Sequence, residues 1–131
     1  MARVKPKLDW LDSARKELND DPAYRALGST DMVLGLSLGD ETRLVRFEAF
    51  GIAGIQEDGD LRDAALVLRM TPRKWNAYLR QRARGRGPSL LTLDLEEAVF
   101  EAANPLAAAL LPRYNLSLQA FIDAGARLTA P

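Results

Sequence analysis

Met32-Val33-Leu34-Gly35-Leu36-Ser37-Leu38 is a strand-length, almost wholly apolar run that ends at Gly39-Asp40. Directly after that pair, Thr42-Arg43-Leu44-Val45-Arg46-Phe47 resumes a β pattern. Two such runs around a Gly-Asp turn predict an antiparallel hairpin. Phe50 to Gln56, with two glycines, suits a third strand that bends, and Glu57-Asp58-Gly59-Asp60 is a loop. Ala64 to Met70 reads as a fourth strand. Strands joined in this way, with helical patterns on either side, predict an α+β domain built on a mostly antiparallel sheet.

The helical patterns are explicit. From Lys7 to Asn19, Leu8, Leu11, Ala14 and Leu18 recur at three- and four-residue spacing, with Asp12 and Lys16 an i,i+4 pair on the polar side. Asp20-Asp21-Pro22 opens a short helix to Leu27 that Gly28 ends. Thr71-Pro72 is an N-cap followed by Pro at the first helical position. Trp75, Tyr78, Leu79 and Arg82 share a face of the helix that follows, and Gly85-Arg86-Gly87-Pro88 stops it. Ser89 to Asp94 fits either a strand or a helix, and Val99 to Ala102 fits a fifth strand. Asn104-Pro105 opens a helix through Leu111, which Pro112 is expected to close. A last helix is expected from about Leu116 to Ala124, with Gly125 as its cap. At 131 residues, without an internal repeat or linker, the chain reads as one domain over 1–131 with a ragged start at 1–6.

Composition narrows the chemistry. There is no cysteine, which excludes disulfides and thiolate metal sites. There is no histidine either, which removes the commonest general base and metal ligand. Any catalysis would rest on carboxylates, Lys, Tyr or Ser/Thr, and no cofactor or metal is implied. The formal net charge is zero, and no nucleic-acid motif is present, so a nucleic-acid partner is not expected. The basic start, Met1 to Lys7, leads into no apolar run, so the chain reads as cytoplasmic. The longest apolar stretch, Pro105 to Pro112, is too short to be a transmembrane segment.

Asp63-Ala64-Ala65-Leu66-Val67-Leu68-Arg69-Met70-Thr71-Pro72-Arg73-Lys74-Trp75 places an acidic residue before an alternating strand, then Thr-x-x-x-Trp opening a helix. With Asp20-Asp21-Pro22-Ala23-Tyr24-Arg25-Ala26-Leu27 and the order of elements from about Trp10 onward, this resembles the sterol carrier protein type-two family, in a divergent bacterial-type form. The resemblance implies a five-stranded sheet covered by helices on one face. It also implies a hydrophobic tunnel between the layers, walled in part by the C-terminal helices, that holds a sterol-like, acyl or other apolar molecule. In place of that family's glycine-containing strand after the Trp helix, this chain has the longer and more basic Arg84 to Leu95.

Three groups of residues are the candidates for function. Leu106, Leu110 and Leu111 lie in a segment that is apolar all round, so it is either plain core or core on one side and cavity on the other. Phe47, Phe50, Trp75, Phe100, Tyr114 and Phe121 can wall a lipid site or simply fill the core, and Leu118 and Ile122 share the face of Phe121. The third group is basic. No acidic residue occurs between Asp63 and Asp94, and Arg82, Arg84 and Arg86 crowd a Gly-rich stop. They suit an anionic contact: an acyl-CoA head group, a membrane surface or an enzyme partner. An enzyme working on an apolar substrate through a carboxylate or Tyr is the alternative reading.

Overall fold

The computed structural model describes residues 3–130. The predicted hairpin is its centre. Strand β1 (Met32–Leu38) pairs antiparallel with β2 (Glu41–Glu48), Met32 opposite Phe47 and Leu38 opposite Glu41. Gly39 at the turn has φ +67°, where a side chain would be strained. Beyond β2 lies β3 (Gly51–Gln56), and a bulge between Arg46 and Phe47 produces the expected bend. On the other side of β1, β4 (Leu66–Met70) runs parallel to it, and β5 (Phe100–Ala102) closes that edge antiparallel to β4. The order β3-β2-β1-β4-β5 is thus a mixed sheet, with three antiparallel pairs and one parallel pair. The parallel pair arises because the chain returns past the hairpin to the free side of β1.

Leu34, Leu36, Leu38, Val45, Phe47, Leu66 and Leu68 turn one face of the sheet into the main core. Helices α1 (Leu11–Asn19), α2 (Pro22–Arg25), α3 (Pro72–Ala83), α4 (Leu90–Glu97) and α6 (Leu110–Thr129) contribute to that layer, and α5 (Pro105–Ala108) packs on α6 and β5. Opposite them, a small second cluster of Leu44, Ala64 and Val67 sits under the 3-10 turn at Leu61–Asp63. A Cβ on Gly35 would stand only 3.0–3.2 Å from Leu61, Ala64 and Val67, so this residue lets the turn lie directly on β1.

Three boundaries differ from the sequence expectation, and one open stretch is resolved. α1 begins at Leu11, not Lys7, because residues 5–7 make tertiary bonds instead. The Lys7 carbonyl accepts Nε1–H from Trp10 at 2.8 Å and from Trp75 at 2.9 Å, and the Asn76 side chain bonds Lys7 N and Lys5 O. The ambiguous Ser89–Asp94 stretch is helical: the Ser89 hydroxyl accepts from Thr92 N at 3.2 Å, and Leu90 and Leu93 are buried. Pro112 does not close a helix at Leu111. It lies in the first turn of α6, where its missing N–H is harmless, and the break falls at Ala109. A proline clashes with the carbonyl four residues back, here Ala108, the last residue of α5. Gly125 is not a cap, because α6 continues to Thr129. The Trp10 ring covers Gly125 so closely that a Cβ there would stand 2.5 Å from it.

Candidate functional site

The aromatic candidates separate into two environments. Trp75, Phe47 and Phe121 are fully buried and, with Trp10, form one interlocked group. Trp10 stacks on Trp75 at 6.2 Å between ring centroids and tilts against Phe121 at 5.2 Å, while Phe121 meets Phe47 edge-on at 5.7 Å. Leu118 and Ile122 are buried with them. These rings fill the interval between sheet and helices at this end. Trp10, which the sequence reading left outside the site, is the ring that joins the group.

Phe100, Leu110 and Tyr114 are half-buried and pack on the border of the core, with Leu111 buried beside them. Leu91 of α4 joins this border, and the leucines at 95 and 106 are each 87% exposed. α6 packs on α4 and α5, and α5 packs on β5, so these half-buried residues mark an apolar rim of the core on four elements that contact one another in turn. Leu106 therefore lies on the surface, although its helix is apolar all round in sequence. Phe50 is apart from this rim: it is 46% exposed at the β2–β3 turn, with the Arg25 guanidinium 5.9 Å from its ring centre.

The buried polar side chains are Thr30, Asn76 and Ser117. Asn76 is satisfied by the backbone of residues 5 and 7. Ser117 lies against the Tyr24 phenol, whose burial pushes its pKa up to about 12, the Ser117 hydroxyl partly offsetting that. Thr30 Oγ1 has no hydrogen-bond partner. Sequence reasoning missed all three hydroxyl residues. The available signals were a Ser on the same helix face as Tyr114 and Phe121, and a Thr two residues before the inward-facing Met32.

The basic candidates also divide. Arg82 is engaged within the molecule: its guanidinium bonds both oxygens of Asp123 at 2.9 Å and the Gly87 carbonyl at 3.2 Å. Gln119 joins the same group, donating to Asp123 at 3.0 Å and to the Tyr78 hydroxyl at 3.4 Å, and accepting from Leu90 N at 2.7 Å. Tyr78 in turn donates to the Pro88 carbonyl at 2.8 Å, and burial raises its pKa. These bonds fix the 84–89 loop to α3 and α6. Arg84 and Arg86 instead line a surface hollow of about 420 Å3 with Arg80 and Gln81. A larger hollow, about 540 Å3, lies between residues 5–12 and β2 and β3, lined by charges of both signs with Leu8, Leu11 and Ile55. Neither hollow is lined by the apolar candidates.

No group of three metal-ligating side chains stands together among the described residues, nor is any helix there long and apolar enough to cross a membrane. No family model matches the chain, and no curated protein matches it. Solved structures do. A crystal structure of sterol carrier protein 2 superposes with a TM-score of 0.67 at 21% identity, over 92% of this chain and 95% of that one. A solution structure of a conserved hypothetical protein from Thermus thermophilus, offered as a candidate sterol carrier protein, gives 0.61 at 18% identity, over 99% and 93%. At these identities the likeness speaks for architecture, and it agrees with the α+β, five-stranded, helix-covered expectation. The chain has the sterol carrier protein fold.

Proposed function

We propose that the protein binds or carries an apolar small molecule, sterol-like or acyl, between its sheet and helices, with access at the rim of Leu91, Phe100, Leu110 and Tyr114. The observation that carries this reading is the rim itself. Large apolar side chains stand half-exposed there and run without interruption into the main core, which is the composition of a small-molecule site. The fold shared with sterol carrier protein 2 supports it. Among the sequence candidates, Phe100, Leu110, Leu111 and Tyr114 are the contacts. Leu106 is the outer lip, Leu118, Phe121 and Ile122 form the floor, and Phe47 and Trp75 back that floor. Uptake requires α5 and the start of α6 to lift from the sheet.

Fluorescence titration with diphenylhexatriene and cis-parinaric acid tests this. Saturable uptake of one molecule per chain is expected. Leu110→Asp should weaken it at least tenfold, because a carboxylate in an apolar contact costs several kcal/mol, while Leu128→Asp at the other end of α6 should leave it unchanged. No uptake by the folded protein would remove the reading.

The hollow of Arg80, Arg84 and Arg86 supports a second, compatible reading, an anionic contact such as an acyl-CoA phosphate, a lipid surface or an enzyme partner. None of these three arginines forms an ion pair among the described residues. Arg84→Glu with Arg86→Glu should abolish salt-sensitive binding to phosphatidylglycerol vesicles or coenzyme A, and unchanged binding to both would sink it.

A further inference from the structure

The strand register places an arginine on the core side of the sheet. Arg43 stands opposite Leu36, and side chains directly opposite on paired strands share a face, so Arg43 is on the face of the buried Leu36. Its side chain is only 19% exposed. Nη1 donates to Glu41 Oε2 at 3.1 Å and to the Thr42 carbonyl at 2.8 Å. The other edge of the guanidinium, Nε with Nη2, has no partner among the described residues. That edge can grip a carboxylate by two parallel bonds, as Arg82 does with Asp123 in this same protein. Glu57 belongs to the same place. β2 and β3 pair Val45 with Ile55 and Leu44 with Gln56, and one step further this register sets Glu57 against Arg43. Glu57 forms no ion pair among the described residues.

Both groups line the 540 Å3 hollow, together with Leu8, Leu11 and Ile55. The chain from Lys5 to Asp9 forms another of its walls. That segment has no secondary structure of its own through Leu8, yet it is held firmly. Trp10 and Trp75 donate to the Lys7 carbonyl, the Asn76 side chain bonds Lys7 N and Lys5 O, and Arg3 pairs with Asp40 at the hairpin turn. Three buried side chains thus fix a segment whose lysines stay exposed, and what they fix is the hollow's wall.

We propose that this hollow binds a small zwitterion of the amino-acid type, with its carboxylate on the open edge of Arg43, its ammonium against Glu57 and an apolar side chain over Leu8, Leu11 and Ile55. The volume falls within the roughly 300–1,000 Å3 of small-molecule sites. An ammonium only donates and an ionised carboxylate only accepts, so one molecule answers both unengaged groups. Its two charged groups are neighbours on one carbon, as Arg43 and Glu57 are neighbours across two strands. The site is lined by none of the rim residues, so it stands or falls independently of the apolar-ligand reading.

The test titrates the full chain with L-phenylalanine, N-acetyl-L-phenylalanine and L-phenylalaninamide, followed by amide NMR shifts. Phenylalanine should give saturable shifts at 5–12, 41–43 and 55–57. Each blocked analogue, lacking one charge, should bind at least tenfold more weakly. Arg43→Gln should lower phenylalanine affinity at least tenfold, and Glu57→Gln should lower it severalfold. Glu57 is exposed, so its variant tests the site even if Arg43→Gln unfolds. Arg86→Gln should bind as the parent does. Absence of shifts with phenylalanine, shifts confined to other segments, or equal binding of either blocked analogue would each overturn the assignment. So would unchanged affinity in folded Glu57→Gln.

Discussion

α6 passes through two kinds of surroundings. From Ser117 to Ala126 most of its side chains are buried, and its apolar face is locked to the rings of Trp10, Trp75 and Phe47. From Leu110 to Leu116 only Leu111 is buried, Tyr114 is half-buried and Leu116 is 62% exposed. The residue types are alike in both halves. What differs is the cover. The C-terminal half packs on α1 and α3, helices of 9 and 12 residues, whereas the N-terminal half follows directly on the four-residue α5, which packs on α6 and on the three-residue edge strand β5. Short elements present little area to bury, so apolar side chains remain at the surface where they are the only cover. One half holds the fold together, and the other has the lower cost of opening, where a ligand-binding function would be placed.

The contrast is tested most directly by truncating one residue in each region. Trp75→Ala or Phe121→Ala should cost about 3–5 kcal/mol in urea unfolding, whereas Leu106→Ala should stay within about 0.5 kcal/mol. Similar losses in both places would erase the distinction.

Alkaline unfolding examines the boundary between the halves at Tyr24. Its folded pKa is raised above the ordinary 10.0 to about 12, so the buried phenol must stay protonated. Its contribution is complete below pH 10 and is lost as pH rises through 12, about 2–3 kcal/mol over that window. Tyr24→Phe should flatten this part of the stability profile measured from pH 9 to 12. Part of the slope should persist, because burial also raises Tyr78.

Gly125→Ala sharpens the account of the locked half. Alanine should favour a helix interior by roughly 1 kcal/mol, yet the Trp10 ring would stand 2.5 Å from the new Cβ. The net expectation is a loss of about 1–3 kcal/mol by thermal melting. In a Trp10→Ala background the same substitution should become stabilising. A gain in the parent protein would show that the ring can move aside.

The smallest effect is a rate. Amide hydrogen exchange should be faster at 107–114 than at 118–126, and cis-parinaric acid should slow the first segment alone. Equal protection before and after ligand would count against opening at the rim.

Much of the fold was legible in the sequence because it depends on local chemistry. The Gly39 turn, the Thr71-Pro72 start of α3 and the alternation of β1 are set by residues close together in the chain, and each is where it was expected. The candidate site residues divide by burial in a way the sequence did not show: Phe100, Leu110 and Tyr114 are half-buried against the core, while Phe47, Trp75 and Phe121 are locked inside it. The failures share a cause. Gly125 has the look of a helix cap, and only Trp10, from the far end of the chain, makes it an interior packing residue. Leu106 has the look of a buried residue, but no element is close enough to cover it. Arg82 reads as one more surface cation until Asp123 on a different helix takes both arms of its guanidinium. The sequence by itself determined most of the segments that become strands and helices, since periodicity, caps and turns act over a few residues. Only the tertiary structure decided which apolar side chains are locked and which stand at a rim, because burial depends on what distant segments bring to the contact.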